Sequence, residues 1–265
     1  MEIYYTIVIF IFGTVLGSFY NVVGYRLPKG ESLIYPPSHC PKCQHRLGAS
    51  ELVPIFSYLF LKGKCKNCHE PVSLFYPIFE LSSGILFAAS YLVFGFSIEF
   101  FIAITFISML LIIIISDYQT YTIPDEVLIF FGIALIIEIF IQGGFSLLKN
   151  SILNGIISFI IMFLIKKIGD FLFKKESMGG GDIKLLGIFG LVMGYKMSIV
   201  SIFIASFIGL PVAVFQIMIS EHHKIKSTDD DVPDNSIPFG PFLAIAAIII
   251  VLTKLDFNFI INLFI

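Results

Sequence analysis

Long apolar runs separated by short polar breaks organise the chain. A membrane-spanning helix needs about 20 apolar residues, and somewhat shorter ones occur. Runs of this kind cover residues 3–25, 74–94, 98–116, 127–141, 151–165, 183–195, 198–219 and 239–252. The pattern predicts an all-α polytopic membrane protein with about eight transmembrane helices. The run at 183–195 is short, rich in glycine and parted from the next by little more than Lys196, so a broken or tilted helix pair is expected there. Between the first two runs lies the one polar stretch able to form a small folded domain outside the bilayer. The expected organisation is a first transmembrane helix at 1–25, a small four-cysteine loop domain at 26–73 and a transmembrane core at 74–265.

Composition supports lipid as the solvent. Hydrophobic residues make up 57% of the chain and charged residues 14%, with mean hydropathy +0.94. A soluble domain of this size could not keep so much apolar surface from water. There is no Trp, so any aromatic belt must draw on the 11 Tyr and some of the 30 Phe. Met1-Glu2 lacks the basic start of a cleavable signal, and the first run is expected to be retained as a span.

Basic residues orient the spans. With eight spans and both termini outside, 14 of the 17 Lys and Arg fall on one face, seven of them in the loop after the first span. The positive-inside rule makes that face cytoplasmic. Lys149, Lys196 and Lys254 remain outside. The stretch 220–237, with Asp229, Asp230 and Asp231, reads as a solvated connection more readily than as a metal site. The chain shows no internal repeat, nucleotide-binding loop or nucleic-acid motif, so the bilayer, and not a nucleic acid, is the expected partner.

Two carboxylates stand out against this background. Asp117 ends the third run and Asp182 begins the sixth, directly after Gly179, Gly180 and Gly181. A carboxylate at a membrane edge is costly to desolvate and is a functional candidate on that ground. On the eight-span map both lie on the cytoplasmic side. Two facing carboxyls can share one proton, so that one activates water and the other protonates a leaving amine. The helix dipole favours an anion at Asp182 and disfavours one at Asp117, which assigns the resting proton to Asp117. Gly179 and Gly181 remove side chains where a substrate backbone could approach, and Lys184 adds a cation. Read alone, Gly-x-Gly-Asp is also what a glycine loop with a helix-capping Asp looks like. Asp125 and Glu126 follow Pro124 and suit the positive end of the next helix, with no chemistry required. Glu138, deep in the fourth run, has no role from sequence.

All four cysteines lie in the polar stretch. Cys40-Pro41-Lys42-Cys43 and Cys65-Lys66-Asn67-Cys68 are two C-x-x-C knuckles. Such spacing lets each pair present two thiolates to one tetrahedral ion, and two pairs complete a structural zinc site. Two disulfides or free thiols are the alternative. His39, His45 and His69 adjoin the knuckles but are not needed once four thiolates fill the site. Asn21, Arg26 and Glu80 are polar residues at or within membrane edges and therefore site candidates. Interhelical hydrogen bonding, or interface anchoring for Arg26, explains them as well.

These segments together resemble the type IV prepilin peptidases, Gly-x-Gly-Asp aspartic proteases of the bacterial inner membrane. The likeness rests on Asp117 with Ile123-Pro124-Asp125, on Gly179-Gly180-Gly181-Asp182-Ile183-Lys184-Leu185, and on Ile237-Pro238-Phe239-Gly240-Pro241-Phe242. Gly17-Ser18-Phe19-Tyr20-Asn21-Val22-Val23, Tyr25-Arg26-Leu27-Pro28, the cysteine pairs and Tyr76-Pro77-Ile78-Phe79-Glu80 resemble the long, bifunctional members. The resemblance implies catalysis by Asp117 and Asp182, and cleavage of a short basic leader from pilin or pseudopilin precursors on the cytoplasmic side. It also implies methylation of the new N-terminus from S-adenosylmethionine, to which Asn21, Arg26 and Glu80 would contribute. Residues 48–54 depart from the usual family pattern, and Gly24 stands where the family has a larger residue. A different class, a proton- or cation-coupled transporter using Asp117 and Asp182, calls for acids near mid-bilayer on broken helices, whereas these lie at helix ends.

Overall fold

The computed structural model describes residues 1–174, 178–224 and 238–257, together with Phe259 and Asn262. The acidic cluster Asp229–Asp231 and the basic residues Lys175 and Lys226 lie outside the described residues.

Among the described residues the protein is helical, with no strand beyond two isolated bridges in the cysteine-bearing loop. Seven α-helices follow in order: α1 (Glu2–Arg26), α2 (Phe56–Phe60), α3 (Phe75–Phe94), α4 (Ile98–Thr120), α5 (Asp125–Phe173), α6 (Gly180–Lys224) and α7 (Gly240–Thr253). Five of them, all but α2 and α7, are long and apolar enough to cross a membrane. The eight apolar runs therefore map onto fewer helices, because α5 and α6 each contain two runs. At 49 residues α5 would be about 70 Å long if straight, far more than a bilayer is thick. It breaks at Gly143 and Gly144, and α6 breaks at Gly194. Gly144 (φ 64) and Gly194 (φ 81) hold the left-handed backbone that other residues adopt only with strain. Ser198 beyond the α6 break donates to the carbonyl of Leu186 before it (3.0 Å), tying the second segment back onto the first.

The chain divides into two compact units, Met1–Leu148 and Lys149–Ile265. In the first, α1, α3 and α4 pack together. α4 is the core: Phe106, Ile107, Met109, Leu110 and Ile113 are fully buried. Small residues let α1 and α3 approach backbone to backbone, the device membrane helices use where water supplies no driving force between them. A Cβ added at Gly13 would sit 2.9 Å from the Cα of Gly84, and one at Gly17 would sit 2.7 Å from Ser83 Cβ and 3.0 Å from the Cα of Glu80. Gly24 makes the same kind of approach to Ile115 of α4. On its other face α1 presents Ile3, Ile7, Ile11, Val15 and Phe19 outward, as a lipid-facing surface requires. Gly17→Leu is expected to push α1 from α3 and cost about 1–3 kcal/mol, read as a lowered midpoint of unfolding in mixed detergent micelles.

Glu138, without a role from sequence, accepts a hydrogen bond from Thr105 (2.7 Å) and so fastens α5 to α4. In the second unit, α5 and α6 meet through Gly155, Gly187, Gly190 and Ser158, with α7 against α6 at Gly209 and Phe242.

Candidate active site and metal centre

The four cysteines are brought together by a duplicated backbone motif. The amide of Cys40 donates to the carbonyl of His45 (2.9 Å), and the amide of Gln44 donates back to Cys40 (2.9 Å). The second knuckle repeats this position for position, Cys65 to Glu70 (2.9 Å) and His69 to Cys65 (3.0 Å). Gln44 (φ 59) and His69 (φ 58) take the left-handed turn at matching places. Sequence inspection found no repeat here because the two turns share little beyond their cysteines.

The thiols are free, not disulfide-bonded, and their four Sγ atoms lie within 4.8 Å of one another. Cys40 and Cys68 are 3.8 Å apart, and Cys43 and Cys65 3.9 Å. A tetrahedral ion with zinc–sulfur bonds of about 2.3 Å requires sulfurs about 3.8 Å apart, so the donor set fits zinc. The amide of His45 pulls the Cys43 thiol down to about 6, and the amides of Cys68 and Asn67 lower Cys65. At Cys68 the amide of Glu70 acts in the same direction but is outweighed by desolvation and the three neighbouring sulfurs, which push it up to about 12. Four thiolates this close need a cation between them. Bound zinc is expected to persist at neutral pH and to be lost as pH falls and protons compete for the thiolates, as followed by equilibrium dialysis. Among the histidines, His45 stays off the sulfurs. It contacts Glu51 (3.2 Å), which also accepts from the amide of Gly48 (2.9 Å).

Asn21 and Glu80 stand on the two helices of the close α1–α3 contact. Asn21 Nδ2 donates to the carbonyls of Gly17 (3.2 Å) and Tyr76 (3.4 Å), which fixes the amide orientation and leaves buried Oδ1 without a hydrogen-bond partner. Glu80 is buried and accepts from the backbone amide of Ile55 (2.7 Å). Arg26 turns elsewhere, donating to the carbonyls of Ser32 (3.0 Å) and Pro36 (2.7 Å), and so shapes the start of the loop.

Asp117 lies in the same unit. The third apolar run ends at Ser116, but α4 continues to Thr120, so Asp117 sits inside the last turn and is buried, with 6% of its surface exposed. Ser116 donates to the carbonyl of Thr122 (2.6 Å) and Thr120 to that of Ser116 (2.9 Å), closing the turn around it. Phe75, opening α3, stacks on Tyr118 with ring centroids 5.5 Å apart. That stacking sets Asp117 at the same end of the helices as the four-cysteine loop.

Asp182 belongs to the second unit, in the first turn of α6, and is also buried, at 9% exposed. A Cβ at Gly179 would lie 3.4 Å from Asp182 Oδ2, so the carboxylate turns back over the helix start, where free amides and the dipole favour an anion. Gly179 and Lys184 are exposed, and Gly181 is half-buried beside the carboxylate.

The fold and its sites define a multi-pass membrane protein with a four-cysteine loop whose thiols could hold a metal ion and with buried carboxylates at helix ends. Residues 11–94 match the bacterial peptidase A24 N-terminal domain, and residues 104–214 match the type IV leader peptidase family. The prepilin leader peptidase/N-methyltransferase of Bacillus subtilis is 39% identical over 202 residues, covering 76% of this chain and 79% of its own. That of Neisseria gonorrhoeae is 29% identical over 267 residues (91% and 87%), and that of Aeromonas hydrophila 28% over 269 residues (91% and 88%). The chain belongs to the type IV prepilin peptidase family. No solved structure matches it significantly.

Proposed function

We propose that the protein is an aspartic endopeptidase that removes the leader of type IV prepilin-like or pseudopilin precursors at the cytoplasmic face of the bacterial inner membrane, and that it methylates the new N-terminus. The observation that carries the peptidase reading is the pair of buried acids, Asp117 and Asp182, inside the segment that matches the type IV leader peptidases. Both sit at helix ends in the first and last turns, where a soluble leader can reach them while the precursor's apolar helix stays in lipid.

In this mechanism one carboxylate takes a proton from water and the resulting hydroxide equivalent attacks the scissile carbonyl. The other carboxyl, protonated at the outset, gives its proton to the leaving amine. Gly179 and Gly181 leave room for the substrate backbone beside Asp182, and the Lys184 ammonium stands two residues on. The breaks in α5 and α6 support an eight-span topology, each long helix supplying two passes and α7 the last. On that topology the basic excess puts both aspartates and the four-cysteine domain in the cytoplasm. The domain division at residues 25 and 73 belongs to the same reading.

Zinc would be held by Cys40, Cys43, Cys65 and Cys68 in a structural role. S-adenosylmethionine, when bound, supplies the methyl group. Asn21 and Glu80 offer acceptor oxygens suited to an ammonium, either that of the methyl donor or the amine to be methylated, and Arg26 orders the adjoining loop. A purified preparation in lipid, given a pilin-like precursor and labelled methyl donor, is expected to release the leader and label the shortened product. Release without label would remove the second activity, and labelling without release would remove the first.

A further inference from the structure

The four-cysteine domain carries an apolar face that the site does not use. α2 is one and a half turns long. Phe56, Leu59 and Phe60 are 59%, 63% and 82% exposed, and the rings of Phe56 and Phe60 stack with centroids 6.5 Å apart. Leu52 and Val53 extend the patch on the side preceding the helix, each almost half exposed. Lys62, Lys64 and Lys66 follow at once, all exposed. In water, five apolar side chains on so small a domain would be a costly surface.

The position of α2 says what covers it. Ile55, its N-terminal neighbour, is held by Glu80, and Glu80 lies about 7 Å along α3 from the first residue of that span. The polar interface of a bilayer is about 5–8 Å deep on each side. α2 therefore starts beside the first two turns of a membrane helix, close to where that span meets the interface. Tyr25, Tyr76 and Tyr118 stand at this same end of α1, α3 and α4, where interfacial aromatics belong.

We propose that α2 is an interfacial anchor. Phe56, Leu59 and Phe60 insert into the headgroup–acyl boundary of the adjoining leaflet, while Lys62, Lys64 and Lys66 engage anionic lipid headgroups. The zinc-stapled domain is thus laid on the membrane, held by the protein through Glu80 and by lipid through α2.

Because the chain contains no Trp, Phe60→Trp gives a single fluorescent reporter at a site exposed enough to accept it, and Leu59→Trp gives an independent second one. The full-length variants are reconstituted in vesicles of zwitterionic and anionic lipid, with bromine placed at either shallow or deep acyl carbons. Blue-shifted emission is expected, with shallow bromines quenching at least about twofold more than deep ones and iodide having little access. Omitting anionic lipid is expected to raise access to the neutral quencher acrylamide at least about twofold. Water-like emission open to iodide in both variants would overturn the proposal. So would shielding that develops only when a pilin-like precursor is added, which would make the patch a substrate dock. Shielding that varies with protein-to-lipid ratio would point to a second copy of the chain and would equally overturn it. Equal acrylamide access with and without anionic lipid would remove the role given to the lysines.

Discussion

Asp182→Asn protein is expected to leave a pilin-like precursor uncut, with a loss of at least about a thousandfold, within the range typical of a lost acid–base group. Asp117→Asn is expected to do the same. An amide neither takes a proton from water nor delivers one to a departing amine, so each substitution removes one half of the reaction. Both positions are buried at helix ends, and Asn is nearly isosteric with Asp, so packing should survive. At Asp182 an Asn can still cap the first turn of α6. Retained helix content together with lost cleavage would separate chemistry from folding. Methyl transfer to a synthetic, already shortened peptide should continue in both variants, because Asn21 and Glu80 belong to other helices, α1 and α3, and keep their own backbone partners.

Cys40→Ser, or a strong chelator, is expected to abolish bound zinc, from about one ion per chain to none measurable. The knuckles rest on short backbone hydrogen bonds and little apolar packing of their own, and structural zinc is typically worth about 10–16 kcal/mol of apparent binding free energy. Residues 38–72 should then become open to limited proteolysis. The α1–α3–α4 pack should persist, because its close contacts at Gly13, Gly17 and Gly24 involve no part of the loop. Loss of Ile55 as a fixed donor would also free the Glu80 carboxylate, so methyl transfer is expected to fall with the metal while leader cleavage continues. Intact knuckles with normal protease resistance in the zinc-free protein would contradict the structural role.

Much of this was legible in the sequence, for identifiable reasons. The apolar runs are set by lipid and need no knowledge of tertiary contacts. The two C-x-x-C pairs carry their own geometry, because four thiolates at that spacing have few other uses. The glycines before Asp182 leave a stretch without side chains, which is plain from the residues alone. Other features depend on contacts between distant residues. Hydropathy divides α5 somewhere in residues 142–150, and the break falls at the start of that stretch, at Gly143 and Gly144, with helix resuming over the remainder. The pairing of Ile55 with Glu80, and of Thr105 with Glu138, joins residues 25 and 33 positions apart and leaves no local trace. Arg26 is a methyl-transfer candidate in the sequence, and in the fold its Nη1 donates to the carbonyls of Ser32 and Pro36. An arginine's chemistry is visible in a sequence, whereas the direction it turns is decided by the fold of the next ten residues.

The central claim is that Asp117 and Asp182 work as one acid–base unit. Lengthening each side chain by one methylene should keep activity measurable, so the direct test is a cleavage-rate cycle of Asp117→Glu, Asp182→Glu and the double variant. Carboxyls that face each other are expected to couple, with the double variant departing from the product of the single losses by about 0.5–3 kcal/mol. Losses that multiply to within about 0.5 kcal/mol, as independent sites do, would contradict it.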